Sequence, residues 1–280
     1  MKKIGKAIVI DFSEIVSSEN GQSEIIVDNT VNTWQIGRDI KEKKADTKIG
    51  KLAEDAVKTA LNVLGINCYH SYDNIRNDNY KLHAPFDGVL SIKLNDDMVQ
   101  LIRQDVQKSG AKLSSSTRNI LRNSRVYTVE VKSTRLADKY KVRAGFKTYD
   151  SDVQLHNLVS SLRKLDFITY PFFTRYGNFT FQQYCMFAEK RLKTSKRGKE
   201  LEEHVRQIEL DNANDVYIRV FMDENKKKAI ILGWIDKESI FSNPKTHKLI
   251  LPGKSEIPLY FVKSIESGYP IDKISEFLIL

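Results

Sequence analysis

The sequence predicts an α/β fold, and three observations carry that expectation. Between Thr47 and Leu64 the residues Ile49, Leu52, Ala53, Ala56, Val57, Ala60, Leu61 and Leu64 recur at helical spacing and make one apolar face. Val126–Ser133 reads VYTVEVKS, a β-branched and aromatic run without Gly or Pro, which predicts a strand. Helical periodicity returns after it, at Asp152–Leu165, through Val153, Leu155, Leu158, Val159 and Leu162. Helices alternating with strands place the chain in the α/β class. At 280 residues, 41% of them hydrophobic, there is enough apolar material for a proper core.

Residues 1–45 are expected to be a peripheral extension. Within them Lys6–Phe12 (KAIVIDF) suits a strand, Ser17–Ser23 a loop, and Trp34, Ile36 and Ile40 a short helix. Asp46 or Thr47 is placed to cap the first long helix and Gly65 to end it. Asn67–Tyr72 suits a strand and Asp73–Tyr80 a polar turn region. Ala84–Ile92 suits a second strand, opened by Pro85, which is tolerated at a strand start. Asn95–Arg125 holds helical pieces broken at Ser109-Gly110, with Ser114–Thr117 as a cap or loop. Nine aromatics lie in Phe167–Phe187, and the Tyr176-Gly177-Asn178 turn signal divides that stretch into two strands. After a basic linker at Lys190–Lys199, Glu200–Leu210 suits a helix, and Val216–Phe221 with Ala229–Ile235 a hairpin. These readings divide the chain into an extension (1–45), a core (46–198) and a C-terminal extension packed on it (199–280).

Several function classes are disfavoured. No apolar run is long enough to span a bilayer, and the N-terminal apolar run ends at Asp11, too early for a signal peptide. Cys68 and Cys185, the two cysteines, are expected to be free thiols in a reducing cytoplasm. The five histidines and two cysteines show no close pairs of the kind structural zinc needs. The net charge of +9 is localised: Leu101–Lys147 carries 12 Lys+Arg against 3 Asp+Glu, and the remainder is balanced. Arg118, Arg122 and Arg125 precede the Val126–Ser133 strand, and Arg135, Lys139, Lys141 and Arg143 follow it. Such a stripe suits the phosphates of a nucleic acid, although a solvated basic face would carry the same charge.

The candidate chemistry lies in that strand. Alternation puts Thr128, Glu130 and Lys132 on one face and Tyr127, Val129 and Val131 on the other. Five acid-x-Lys triplets occur in the chain, but only Glu130-Val131-Lys132 sits in a strongly patterned strand. Upstream, Asp87 lies in the Ala84–Ile92 strand next to Gly88, which permits close backbone approach; a hairpin-turn aspartate is the other reading. Glu54 borders the apolar face of the first long helix. It either points along the core edge toward the sheet or pairs on the surface with Lys58 at i+4.

The order of helix with Glu54, strand with Asp87, strand with Glu130-Val131-Lys132, then helix and strand, resembles the PD-(D/E)XK nuclease superfamily over roughly Ile49 to Phe187. The resemblance implies a restriction-endonuclease-like αβββαβ core, with a central mixed sheet flanked by helices and an insertion between Asp87 and Glu130. It implies Mg²⁺, as one or two ions, held by Asp87, Glu130 and the Val131 carbonyl, with Glu54 as a further ligand and Lys132 orienting the attacking water. The implied function is a Mg²⁺-dependent endonuclease acting on DNA, in a restriction or other defence role. A non-catalytic nucleic-acid-binding module on the same fold, or a protein-interaction domain, remains open. Cutting both strands would be simplest for a homodimer presenting two sites.

Overall fold

The computed structural model describes residues 1–16, 28–29, 39–110, 113–136, 149–169, 175–176, 179–180, 203, 206–242, 245–248 and 259–279. Lys139, Lys141 and Arg143, Cys185, the 190–199 stretch and most of the aromatic run lie outside the described residues.

The architecture is α/β, with a mixed seven-stranded sheet between helices. Its strands are β1 (Lys2–Ile4), β2 (Ala7–Asp11), β3 (Tyr69–Ser71), β4 (Gly88–Leu90), β5 (Tyr127–Arg135), a strand at Val216–Asp223 and another at Lys228–Asp236. Three short strands precede the last two in the chain: β6 (Asp166–Ile168) and a two-stranded ribbon, β7 (Arg175–Tyr176) with β8 (Phe179–Thr180). Val216–Asp223 is therefore β9 and Lys228–Asp236 is β10. The sheet order is β1-β2-β10-β9-β5-β4-β3; neighbours are antiparallel except for the parallel pair β5 and β9. A second sheet runs β11 (Lys245–Lys248), β12 (Leu259–Ser264), β6.

Helix α1 (Ile40–Val63) covers one face of the main sheet. Ala53, Ala56, Val57, Ala60 and Leu61 bury against Val129, Val131, Val216, Ile218 and Val220. It begins nearly two turns before the sequence suggests, because Asp39 caps it by accepting the Lys41 and Glu42 amides. Asp46 and Thr47 are inside it. Gly65, at φ +73°, ends it, and the Ile66 amide returns to the Leu61 carbonyl. After β3 comes a single helical turn, α2 (Tyr72–Ile75), where the sequence suggests only a turn. Helices α3 (Asp96–Ser109) and α4 (Ser115–Asn123) fill the long step between β4 and β5. Their Ile102, Val106 and Leu121 pack with Phe86, Val89 and Val126. Helix α5 (Asp152–Leu162) and α6 (Lys237–Phe241) close the sheet face opposite α1, over Tyr217, Phe221, Ile230 and Leu232.

The expected division into a core with two extensions does not describe this sheet. β1 and β2 belong to it, and β9 and β10 are its middle. Val216–Asp223 is buried at every position, as is most of Lys228–Asp236, so these strands form the core instead of decorating it. The strand that follows the helix and lies parallel to β5 is β9, beyond the expected limit at Phe187. A strand buried on both faces has no alternation to announce its place.

The β9–β10 pairing slips by one residue between Ile231 and Gly233. Gly233 sits there at φ +129°, and a β-carbon at that position would lie 2.2 Å from the Tyr269 carbonyl oxygen. The bulge lets Trp234 pair with Tyr269, whose carbonyl accepts the Trp234 amide at 2.9 Å. Gly233→Ala is expected to cost about 2–4 kcal/mol, from the strained φ and the overlap together. A urea midpoint within error of wild type would show that the backbone relaxes there freely.

Candidate active site

β4 is only three residues long, and its pairing with β5 stops at Gly88 opposite Val129. Beyond that point β5 continues to Arg135 with β9 on one side and, among the described residues, no strand on the other. The chain entering β4 crosses this open edge at Asp87. The Asp87 amide donates to the Val129 carbonyl at 2.9 Å, and its Oδ2 accepts the Val131 amide at 2.7 Å. A carboxylate thus takes the ladder position that a longer strand would fill. The N–H and C=O of a strand residue point to the same side, so the Val131 carbonyl also faces this edge. Asp87 is therefore neither a hairpin-turn residue nor a mid-strand one; it sits where the strand begins.

Glu130 is buried beside it. Its Oε1 accepts Lys132 Nζ at 2.6 Å, and its Oε2 accepts Asn214 Nδ2 at 2.8 Å. Lys132 is partly exposed, its head near the surface of the site. On the α1 side Glu54 is also inside, with 12% of its side chain exposed, and it pairs with Lys51 at 2.9 Å. Of the two readings the core-edge one holds, and the partner is Lys51 at i−3 in place of Lys58. Lys51 Nζ also lies 3.0 Å from Asp73, whose side chain is 3% exposed. The Tyr69 ring lies against Gly88, where a β-carbon would come within 2.6 Å of it, and its hydroxyl donates to the Asp87 carbonyl at 3.4 Å. That is the close approach the glycine permits.

The electrostatics follow from burial. Asp87 is pushed up to about 7, first by desolvation and then by the Glu130 charge, against the pull of Lys51, the Val131 amide and Lys132. Glu54 is raised well above the usual carboxylate range, again by desolvation foremost, with Asp87 and Asp73 adding to it and Lys51 opposing. The Tyr69 hydroxyl is raised by burial and by the same acids. Burial also lowers His83, more than the nearby Glu130 charge raises it. Four carboxylates, Glu54, Asp73, Asp87 and Glu130, thus share two lysines. Arg76 is engaged with Asp78 at 2.7 Å and stands 3.9 Å from Asp73.

No known protein family, curated protein or solved structure matches the chain. The case for a site therefore rests on its own geometry. A buried acid beside a second carboxylate and a backbone carbonyl is a donor set for a hard cation. Among the described residues no three His, Cys, Asp or Glu side chains form a ready-made metal cluster. Mg²⁺ requires only one or two carboxylates beside water and substrate oxygens, so Asp87, Glu130 and the Val131 carbonyl fit it, while Glu54 is held by Lys51.

The expected phosphate groove changes most. Arg118 is buried, donating to the Ala213 carbonyl at 3.2 Å and to Asn214 Oδ1 at 3.4 Å. Arg122 Nε donates to Asp215 at 2.6 Å, and Asp215 also accepts the Thr128 amide and hydroxyl at 2.9 Å. These two arginines seat residues 213–215 beside β5, which brings Asn214 to Glu130; Arg118 is inside the protein, and Arg122, partly exposed, is held by Asp215. Arg135 stands between Asp46 and Glu224, at 3.4 and 3.5 Å. Arg125, at φ +55°, is exposed. Sequence reasoning missed Lys51, Asp73 and Asn214. Lys51 was readable, since i and i+3 share a helix face. Asp73, in the single turn of α2, and Asn214, before β9, are remote in the chain from α1 and β5 and carried no local signal.

The raised Asp87 sets a pH dependence. The folded chain keeps the Asp87 proton up to about pH 7, whereas the unfolded chain loses it near 4. Folding therefore takes up a proton between those values, and this contribution to stability is lost as pH rises through the window. Without divalent ions, Asp87→Asn should match wild type in Tm near pH 4 and exceed it by about 2–6 °C at pH 8. Equal melting curves at pH 8 would mean that the carboxylate is not an uncompensated buried charge.

Proposed function

We propose that the chain is a Mg²⁺-dependent endonuclease acting on DNA, on a restriction-endonuclease-like core, in a restriction or defence role. The observation that carries this reading is the open edge of β5. There Asp87, Glu130 and Lys132, from two neighbouring strands, meet beside the Val131 backbone. The order α1, β3, β4, β5, helix, β9, with an antiparallel meander closed by a strand parallel to β5, supports the αβββαβ reading.

Asp87 and Glu130 would hold the ion, with the Val131 carbonyl as a third oxygen. When bound, the ion supplies charge for the developing oxyanion and lowers the pKa of its water. Lys132, paired with Glu130 at 2.6 Å and partly exposed, would serve the phosphate by placing a proton donor against a non-bridging oxygen. Asn214 fixes Glu130 Oε2, so the carboxylate keeps one orientation as Lys132 turns to substrate. Asp87 is set by its Val131 bond. The exposed Arg125 would contact the phosphates of the duplex, and Lys139, Lys141 and Arg143 add charge of the sign that a duplex attracts. A homodimer would present two such edges for the two strands.

The Lys132–Glu130 pair favours a second reading, a module that binds nucleic acid without cutting it, because an internal cation already satisfies one Glu130 oxygen. Supercoiled plasmid decides between them. Wild type is expected to nick or linearise it only with Mg²⁺, and Lys132→Ala to do so about 10²–10⁴ times more slowly. Equal cutting by the two proteins would take Lys132 out of the chemistry. No cutting by wild type, with retention of DNA at low salt, would favour the binding module.

A further inference from the structure

We propose that Lys51 is a resident cation that takes the place of a second metal ion, so that this centre binds one ion and not two. The inference rests on the metal site proposed above and deepens it. Lys51 Nζ lies 2.9 Å from Glu54 Oε2 and 3.0 and 3.2 Å from the two oxygens of Asp73. Its three acidic neighbours come from three places in the fold: Glu54 from α1, Asp73 from the turn after β3, and Asp87 from the entry to β4. Glu54 and Asp73 put hard oxygen donors within 3.2 Å of one point and the Asp87 charge acts on it, the environment of a divalent ion next to a phosphodiester site.

The point is filled by the protein. The Lys51 side chain is 13% exposed, yet its ammonium stays charged: desolvation works against the charge, and Glu54, Asp73 and Asp87 outweigh it. The pocket is built to hold it. Asp73 begins α2, its amide accepted by Ser71 Oγ at 3.3 Å, and Lys51 is three residues from Glu54 on one helix face. The N···O distances suit an ammonium, whereas Mg²⁺ or Mn²⁺ would draw the same oxygens in to about 2.1 Å. Asp87 then feels two positive positions, the Lys51 ammonium and the ion site it would share with Glu130. Removing the Lys51 charge leaves Glu54, Asp73 and Asp87 facing one another inside the protein, a state that a second ion would relieve.

Mn²⁺ counted on the full chain, by equilibrium dialysis and electron paramagnetic resonance, tests this. Wild type and Lys51→Arg are expected to bind one ion, and Lys51→Met two, with an added Mn²⁺-dependent rise in Tm. Two ions in wild type, or one in both wild type and Lys51→Met, would overturn the inference and leave the metal site standing. No ion in wild type would remove the metal site and the inference together. Should Lys51→Met fail to fold without metal, dialysis against Mn²⁺ is expected to refold it with two ions bound, and failure to refold counts against the proposal.

Discussion

A single hydrogen bond organises the site: the Val131 amide donating to Asp87 Oδ2 at 2.7 Å. It exists because β4 is three residues long and leaves the rest of β5 with an unused edge. A buried backbone amide needs an acceptor, and here a side chain supplies one that a neighbouring strand would normally supply. The same geometry turns the Val131 carbonyl toward the acids. Shortening one strand thus anchors a carboxylate beside the Val131 backbone. The cost is a buried acid with too little positive charge around it, and the raised Asp87 and Glu54 are the expression of that cost.

The cations of the protein divide into two groups by this logic. Lys51 and Lys132 are drawn into the acidic centre, each bound to its own carboxylate at 2.6–3.0 Å. Arg118 and Arg122, from the most basic part of the chain, are consumed by the 213–215 loop. Their work reaches the centre indirectly. By seating that loop against Thr128 they place Asn214 where it can hold Glu130. A basic segment can therefore build a site without touching a substrate, and a count of its charges does not separate the two roles.

Much of the fold was legible in the chain. The helical face of α1, the strand at 127–135, the broken helices α3 and α4, the helix α5 and the β9–β10 hairpin all follow from periodicity and turn residues, because each is a local preference. The acids Asp87, Glu130 and Glu54 and the lysine Lys132 were legible as oddities, charges placed in or beside apolar patterns. The order of strands was not legible. β9 and β10 are mostly apolar, with no strict alternation to show which strands they pair with, so their place at the middle of the sheet had no local mark.

Local pattern set most of the helices and strands and marked the charged residues out of place in them, since both depend on neighbours a few positions away. Tertiary structure alone decided which charges meet. Lys51 was brought to Asp73, Asn214 to Glu130 and Arg122 to Asp215 by the packing of α1, α2 and the 213–215 loop on the sheet. The physical reason is range. Hydrogen-bonding and periodic preferences act along the chain, whereas the desolvation and Coulomb terms that define this centre depend on distances set only when remote segments are buried together.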